Sequence, residues 1–205
     1  MKHPWEEIDL SVYEKHMSWD SIGQLQAMND MMKDQFYAYP AQTVMILGIA
    51  GGNGLEHIDK QVIKKVYGVD INESFLNTCE RRYPELHGVL ETIHVDLTQF
   101  TECLPYADLL IANLLIEYIG YDCFQRIVKR VEPRFVSCVL QLDTDASFVS
   151  ASPYIHAFDR LEEVHCRMEE AVLGRVMEQI GYRNERKNVR ELPNGKMLVR
   201  VDFEI

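Results

Sequence analysis

The sequence predicts an α/β fold, in which a doubly wound, mostly parallel sheet of seven strands carries helices on both faces. An N-terminal helical extension precedes the sheet, and a C-terminal antiparallel β-hairpin completes it. Three observations predict this architecture. Short apolar runs alternate with helical patterns between residues 44 and 142. Apolar residues recur at helical spacing before the first run, and Asn194-Gly195 is a strong hairpin signal.

Residues 1–40 are predicted to form the helical extension, and residues 41–205 a single α/β domain. Ser11-Val-Tyr-Glu14 has the form of a capping box, and Ser18 can cap a second helix start. Apolar side chains recur at helical spacing over residues 19–37, and Pro40 closes that segment. The extension also offers candidates for a lid over a ligand, namely Tyr13, His16 and Met17.

The α/β domain is predicted as a regular alternation of elements. Apolar runs predict strands over residues 44–49, 66–69, 90–95, 107–112 and 135–142. Helical patterns predict helices over residues 55–65, 73–82, 121–131 and 160–180. Asn72 is suited to cap the second of these helices, and Gly181 to end the last. Strands over residues 182–191 and 196–204 then form the hairpin.

Charge and composition narrow the classes of partner. The chain has 205 residues, 47% of them hydrophobic, and a net charge of −11, which suits one globular domain with an acidic surface. The basic cluster at residues 183–190 is interrupted by Asn184, Glu185 and Asn188, which predicts a solvated strand face. We therefore expect no nucleic-acid partner and no membrane association.

The cysteines and histidines indicate neither disulfides nor a metal site. Five cysteines are scattered without a Cys-x-x-Cys pair, which fits a reducing compartment. The first nine residues are charged and polar, so no signal peptide is predicted and a cytoplasmic location is expected. The seven histidines lack the usual metal-ligand spacing.

The predicted strand ends carry the candidate binding residues, because ligands of such sheets bind at the carboxyl ends of strands. Leu47-Gly-Ile-Ala-Gly-Gly-Asn-Gly-Leu-Glu56 follows the first strand, with Asn53 and Glu56 at the N-cap and N3 spacing of a helix start. Asp70 ends the second strand, 16 residues after Gly54, where a carboxylate can accept hydrogen bonds from a ribose diol.

Two further strand ends complete the set. Asp96-Leu97 follows the third strand, where the Asp96 carboxylate can accept a hydrogen bond from an exocyclic amine while a backbone N–H meets a ring nitrogen. Asn113 follows the fourth strand. Together with the Gly181-Tyr182 step and the hairpin, this ordered set resembles the class I S-adenosylmethionine-dependent methyltransferases. The resemblance extends from about residue 43 to the C-terminus.

The resemblance implies S-adenosylmethionine as cofactor, S-adenosylhomocysteine as its product, and a role for each matched position. Asp70 would hold the ribose, Ile71 would lie beside the adenine, and Asp96 and Leu97 would bind the adenine edge. The methionine part would be lined by Ala50, Gly51, Gly52 and Gly54 and bordered by Asn113 and Leu114.

Two positions of the glycine loop depart from the family pattern. The family usually has an acid at the position of Gly48 and a glycine at the position of Ala50. The contact that this acid usually makes with the cofactor's amino group is therefore missing at Gly48. Glu56 and the Asn113 carbonyl are the alternatives for that contact. Ala50 requires a negative φ or mild strain.

The resemblance implies in-line methyl transfer, and no Asn-Pro-Pro-Tyr segment follows the fourth strand, which favours a small-molecule acceptor. Tyr118 and His156 are the candidate catalytic residues. Two alternatives stay open. The domain could bind the nucleoside as a regulatory module, or it could be an NAD-dependent oxidoreductase, although His57 occupies the third glycine position of that fingerprint.

Overall fold

The computed structural model describes residues 2–99, 102–142 and 148–205. The strands are β1 (Thr43–Leu47), β2 (Lys65–Asp70), β3 (Leu90–His94), β4 (Leu109–Asn113), β5 (Phe135–Leu142), β6 (Arg183–Glu191) and β7 (Met197–Glu204). The α-helices in the described ranges are α1 (Pro4–Glu7), α2 (Leu10–Met17), α3 (Gln24–Ala38), α4 (Glu73–Arg82), α5 (Ile116–Ile119), α6 (Tyr121–Val131) and α7 (Glu170–Glu178). Short 3₁₀ helices span Leu55–His57, Pro84–Leu86 and Ile155–Glu163.

The seven strands form one sheet in the order β3-β2-β1-β4-β5-β7-β6. The pairs from β3 to β5 are parallel, whereas β7 runs antiparallel between β5 and β6. The predicted fold class and terminal hairpin are therefore confirmed. Chain order reverses between β1 and β4, and this switch point leaves a crevice at the carboxyl ends of the strands.

The two faces of the sheet bury different residues of the same strands, because successive side chains of a strand point to opposite faces. Met45 and Leu47 of β1 belong to a large apolar cluster with α6 and α7. Val44 and Ile46 belong to a second cluster with α3 and α4. Helix α3 is thus part of the domain core.

A buried polar network anchors α3 to the centre of the sheet. Gln35 Nε2 donates to Ser137 Oγ at 2.9 Å, and Ser137 Oγ donates to Asp202 Oδ1 at 2.5 Å. Arg200 contacts both carboxylate oxygens of Asp202 at 2.8 and 2.6 Å, while the Tyr39 hydroxyl donates to Oδ2 at 2.9 Å. The buried carboxylate is fully hydrogen-bonded, as a buried charge must be.

The prediction of a helix over residues 55–65 is wrong. Only the 3₁₀ turn Leu55–His57 forms there, because the expected capping side chains bond elsewhere. Asn53 Nδ2 donates to the Leu25 carbonyl at 2.9 Å, and Glu56 accepts from Asn29 at 2.6 Å. These tertiary bonds take the place of the capping box.

The prediction of one helix over residues 160–180 is also wrong. The chain forms the 3₁₀ helix Ile155–Glu163, leaves helical conformation, and resumes in α7. The Tyr121 hydroxyl interrupts the helix, since it accepts from the Glu169 N–H at 2.7 Å and donates to the Glu169 carbonyl at 3.1 Å. Cys166 N–H donates to the Glu117 carbonyl at 2.6 Å. This segment is therefore held against α5 and α6.

The helical extension has other boundaries than predicted. Asp9, and not Ser11, caps α2, accepting from the backbone N–H groups of Ser11 and Val12. Ser18 ends that helix and does not begin the next one, which starts after Gly23. None of the helices in the described ranges is long and apolar enough to cross a membrane.

Candidate active site

The loop after β1 brings backbone, not side chains, to the crevice. Gly48 has a φ of +68° and Ala50 one of +48°. The Gly48 and Ile49 N–H groups donate to the Val69 carbonyl at 2.8 and 3.1 Å. Ala50 thus adopts the left-handed conformation, which is the strained alternative expected from the sequence.

Glycines are required in this loop because α2 and α4 pack directly on it. A Cβ at Gly51 would lie 2.5 Å from Arg82 Nη1 and 2.7 Å from Glu14 Oε1. At Gly52, whose φ is +85°, a Cβ would lie 2.7 Å from the Tyr83 ring and 2.8 Å from the Cys79 sulfur. The loop therefore leaves no room for a larger residue at Gly52, whereas a larger residue at Gly51 would require the Arg82–Glu14 pair to move.

Asp70 presents a buried carboxylate at the end of β2. Its Oδ2 accepts from the Ala50 N–H at 2.9 Å and its Oδ1 from the Asn72 N–H at 2.9 Å. Burial raises the pKa of Asp70, and the backbone N–H bonds oppose that shift. A carboxylate offers about four acceptor sites, so both oxygens retain capacity for a ligand hydroxyl.

Asp96 follows β3 in a tight turn beside Asp70. Its Oδ1 accepts from the Thr98 N–H at 2.9 Å and from the Thr98 hydroxyl at 2.7 Å. The neighbouring His94 Nε2 lies 2.9 Å from the Ile71 carbonyl, which ties the ends of β2 and β3 together. The two acidic strand ends therefore border one crevice.

The side chain of Asn113 is directed towards α3. Its Nδ2 donates to Gln35 Oε1 at 2.8 Å, and Gln35 Nε2 donates to Asn113 Oδ1 at 2.9 Å. Leu114 follows with a φ of +54°, and its N–H donates to the Val139 carbonyl at 2.8 Å. The turn at Leu114 directs the chain across the crevice into α5.

A cavity of about 690 Å³, here the strand-end cavity, collects most of the residues predicted to bind a cofactor. It is lined by Gly48, Ala50, Asp70, Ile71, Asp96, Leu97, Asn113 and Leu114. Sequence reasoning missed His3, Trp5 and Phe75, which also line it. No sequence pattern indicated that His3 and Trp5, which lie near the start of the chain, return to the crevice.

A second cavity of about 510 Å³, the loop cavity, adjoins the first. Gly48, Ala50, Asn113 and Leu114 line both, and Gly51 lines only the loop cavity. Gly52 and Gly54 are not among the residues that line these two cavities, and a Cβ at either would lie 2.7 Å from a neighbouring side chain, Tyr83 or Met32. Helix α2 contributes Glu14 and Met17 to the loop cavity.

A third cavity of about 670 Å³, the side cavity, lies next to the strand-end cavity. Trp5, Tyr13, Leu114 and Tyr118 line both, and Tyr13 and Leu114 line all three cavities. The Trp5 ring meets Tyr13 and Tyr118 edge-on, with centroids 5.8 and 5.0 Å apart. The three cavities therefore meet at Tyr13 and Leu114, beside the Trp5 and Tyr118 rings. We call this meeting point the aromatic junction.

The side cavity is bordered by all three residues predicted to form a lid, namely Tyr13, His16 and Met17. His16 Nδ1 lies 2.7 Å from Ser152 Oγ. Burial, assisted by the Lys196 charge, lowers the pKa of His16 to about 4, so its ring is neutral at pH 7.

The N-terminal helices are fastened over the crevice by polar bonds. Glu14 of α2 pairs with Arg82, and Glu7 of α1 pairs with Arg160. The Asn72 side chain donates to the Trp5 carbonyl at 2.9 Å. These contacts place α1 and α2 as a cover above the strand ends.

The two candidate catalytic residues lie in different places. Tyr118 is at the aromatic junction, whereas the His156 side chain is 89% exposed and 3.3 Å from Asp159. His156 borders neither the strand-end cavity nor the side cavity, because the 3₁₀ helix turns it to solvent. Within the described ranges, no group of three or more His, Cys, Asp or Glu side chains could hold a metal ion.

Solved structures share this architecture at low sequence identity. N-methyltransferase NodS from Bradyrhizobium japonicum WM9, in complex with S-adenosylhomocysteine, has a TM-score of 0.67 and 12% identity, covering 95% of this chain and 96% of NodS. A SAM-dependent methyltransferase from Leishmania major has a TM-score of 0.69 and 11% identity, covering 98% and 80%. The chain has the class I methyltransferase fold.

A third structure with the methyltransferase fold is magnesium protoporphyrin IX methyltransferase from Synechocystis PCC 6803 with bound S-adenosylhomocysteine. Its TM-score is 0.61 at 10% identity, covering 88% of this chain and 81% of that one. No family model and no curated protein matches the sequence. Within the methyltransferase fold of this chain, the strand-end cavity lies beside the switch point between β1 and β4.

Proposed function

We propose that the protein is an S-adenosylmethionine-dependent methyltransferase acting on a small-molecule acceptor. The observation that carries this proposal is the strand-end cavity, where the glycine loop of β1, Asp70 of β2 and Asp96 of β3 face one space. Glycine-rich backbone with an acid at the next strand end is an arrangement that binds a nucleoside. The aromatic junction connects this space to a second cavity suited to an acceptor.

The residues present fit the nucleoside half of the cofactor. The buried Asp70 carboxylate, fixed by two backbone N–H groups, can accept from both ribose hydroxyls. Asp96 can accept from the exocyclic amine of adenine, with Ile71 and Leu97 as apolar neighbours. Gly48 also lines this cavity, and its backbone packs closely on Leu115, since a Cβ there would lie 3.1 Å from Leu115 Cδ1.

The amino-acid half of the cofactor fits the loop cavity, and α2 offers an acid for it. Glu14 lines this cavity and can replace the acid that the family usually has at Gly48. Both carboxylates are already engaged, since Glu14 pairs with Arg82 and Glu56 accepts from Asn29, Tyr83 and the Gly54 N–H. Of the two, only Glu14 lines the loop cavity. We assign the cofactor's ammonium group to Glu14.

Bound S-adenosylmethionine supplies a methyl group activated by a sulfonium. The protein then contributes alignment and exclusion of water, which together can supply roughly 7–11 kcal/mol in well-oriented reactions. Trp5, Tyr13 and Tyr118 are placed for this task at the junction of the cavities. The side cavity is covered by α1 and α2, which contribute Trp5, Tyr13 and Met17 to its walls.

Calorimetric titration with S-adenosylmethionine, S-adenosylhomocysteine and NAD tests the cofactor. We expect micromolar binding of the first two, and at least tenfold weaker binding by Asp70→Ala, because hydrogen bonds to a charged group contribute about 1.5–3 kcal/mol. Asp159→Ala removes a carboxylate on the exposed surface and is the matched control. Tighter binding of NAD, or full affinity in Asp70→Ala, would overturn the assignment.

Turnover separates an enzyme from a regulatory module. S-adenosylhomocysteine should accumulate when the protein is incubated with S-adenosylmethionine and a panel of small amines, phenols, thiols and carboxylic acids. Tight cofactor binding without product from any class would favour the regulatory alternative.

A further inference from the structure

The side cavity has an uneven distribution of charge. Its walls contain one carboxyl group, Glu117, which is only 6% exposed, and no lysine or arginine among the residues that the structure describes. Glu117 lies on α5, directly after the turn that leaves β4 and next to Tyr118 at the junction. A carboxylate in a cavity wall attracts a cationic ligand more strongly than it would in bulk water.

Besides Glu117, the cavity wall contains the titratable side chains of Tyr13, His16, Tyr118 and His165, and Lys196 lies nearby. His16 is neutral at pH 7, because its pKa is lowered to about 4. The ammonium group of Lys196 is buried, donates to the Phe148 carbonyl at 2.8 Å and does not line the cavity. Burial and the charges of Asp70, Glu14 and Glu117 raise the pKa of Tyr13, which keeps its hydroxyl protonated.

Aromatic rings form part of the remaining walls, beside the polar side chains of Gln24, Gln141 and Ser150. Trp5, Tyr118 and Phe158 line the cavity, and the Phe148 and His165 rings stack there with centroids 3.9 Å apart. Aromatic faces attract cations, with Trp the strongest, and the attraction grows when water is excluded. A carboxylate within an aromatic enclosure recognises an organic ammonium group.

We propose that the methyl acceptor is a small organic amine, held in the side cavity by the Glu117 carboxylate and the surrounding rings. This inference rests on the proposed methyltransferase function. Glu117 binds an N–H of the amine and orients the nitrogen towards the junction at Tyr118 and Leu114, where the side cavity meets the strand-end cavity.

The reaction balances without a further co-reactant. The amine loses one proton to water, and its nitrogen lone pair forms the new C–N bond. The C–S bond of the sulfonium breaks and its electron pair remains on sulfur, which becomes neutral. The positive charge passes to the methylated nitrogen, where Glu117 and the aromatic walls stabilise it. Amine methylation therefore suits a site with a fixed negative charge.

Hydroxyl acceptors are the principal rival, since a carboxylate could also assist removal of a hydroxyl proton. The two classes differ in the charge of the bound ligand. An amine enters as an ammonium ion and gains from Glu117 on binding, whereas an alcohol is neutral and a carboxylate is repelled. Binding measurements can therefore separate them without turnover.

The first experiment measures binding of matched ligands to the wild-type protein saturated with S-adenosylhomocysteine. Each triplet attaches an amine, an alcohol or a carboxylate to similar hydrocarbon groups, for example phenethylamine, 2-phenylethanol and phenylacetate. Parallel triplets carry ethyl, cyclohexyl and indolylethyl groups. In at least one triplet we expect the amine to bind ten times more tightly than its two partners. Equal or tighter binding of the alcohols or carboxylates, or binding by no amine, would overturn the proposal.

The second experiment compares Glu117→Gln with Glu178→Gln, which changes an exposed glutamate at the end of α7. Glu117→Gln should weaken amine binding at least tenfold and leave S-adenosylhomocysteine affinity within threefold. Glu178→Gln should change neither. Unchanged amine affinity in a folded Glu117→Gln would contradict the role of this residue, and the wild-type triplets remain decisive if that variant does not fold.

Failure of the two proposals is distinguishable. If the wild-type protein does not bind S-adenosylhomocysteine, the proposed function fails before any amine is added. If it binds S-adenosylhomocysteine and selects an alcohol or a carboxylate, the methyltransferase proposal survives and the amine proposal fails.

Discussion

The strand-end cavity and the side cavity share an aromatic wall, yet they are built in opposite ways. The first is formed by the ends of adjacent parallel strands, and backbone N–H groups fix its central carboxylate, Asp70. The second is formed by side chains from α2, α5 and residues 148–168, which are distant in sequence. We call the strand-end cavity the nucleoside half of the site and the side cavity the acceptor half, after their proposed ligands. The sheet therefore determines the first, whereas the packing of connecting segments determines the second.

The largest expected effect comes from adding one methyl group to the backbone of the nucleoside half. Gly52→Ala should lower the free energy of unfolding by about 3 kcal/mol, because a left-handed alanine and overpacking each cost about 1–2 kcal/mol. A Cβ at Gly52 meets Tyr83 and Cys79, whereas one at Gly88, with a similar φ of +84°, meets nothing within 4 Å. Gly88→Ala should cost only about 1 kcal/mol. Denaturant unfolding of both variants checks this, and equal losses would show that the loop is not tightly packed.

The shared wall should link the two halves. Trp5→Ala removes a ring that lines both cavities, and an aromatic contact to a bound ligand contributes about 0.5–1.5 kcal/mol. We therefore expect about tenfold weaker binding of both S-adenosylhomocysteine and the acceptor, measured by calorimetry. Trp19→Ala, at a position 40% exposed and outside both cavities, is the matched control. Loss of only one affinity would show that the wall serves one cavity.

Lowering the pH should reduce the stability of the fold through His16 in the acceptor half and increase it through Asp70 in the nucleoside half. His16 has a folded-state pKa of about 4, below the usual 6.5, so the unfolded chain binds its proton first as pH falls. The stability contributed by neutral His16 is present above pH 6.5 and is lost between about pH 6.5 and 4, roughly 1–2 kcal/mol after solvent screening. The raised pKa of Asp70 acts in the other direction, because protonation relieves the cost of its buried charge.

Unfolding of wild type and His16→Gln at pH 7 and pH 5 isolates the acceptor half. The wild type should lose more stability than the variant, since glutamine does not titrate. The same loss in both proteins would mean that His16 is not the acid-sensitive group.

The smallest expected effect is at His156, which lies outside both cavities. His156→Ala should change stability by less than about 0.5 kcal/mol and leave turnover unchanged, because its side chain faces solvent. A general base contributes about 10²–10⁴-fold, so a fall in turnover of that size would show that this segment moves into the site.

The nucleoside half could be predicted from the sequence because its signals are local. An apolar run followed by a glycine loop marks where β1 ends, and Asp70 and Asp96 each directly follow such a run. The acceptor half could not, because no periodicity indicates that Trp5 or Glu117 returns to the same cavity. Helix prediction failed at residues 160–180 for a related reason, since the Tyr121 hydroxyl that interrupts the helix lies 48 residues from Glu169. The direction of the Asn113 side chain could not be predicted either, because it depends on hydrogen bonds with Gln35, which is 78 residues away in the sequence.

The edge strand β6 combines exposure with charge, as the sequence predicted for residues 183–190. Every position except Arg190 is exposed, and the pairing with β7 is irregular between Asn184 and Arg186. A strand edge offers unpaired N–H and C=O groups to any other extended chain. Here a second chain would have to bring its backbone against closely spaced charged side chains and a locally twisted ribbon. The β6 edge of the sheet is therefore protected against the addition of a strand from another molecule, and aggregation through this edge is disfavoured.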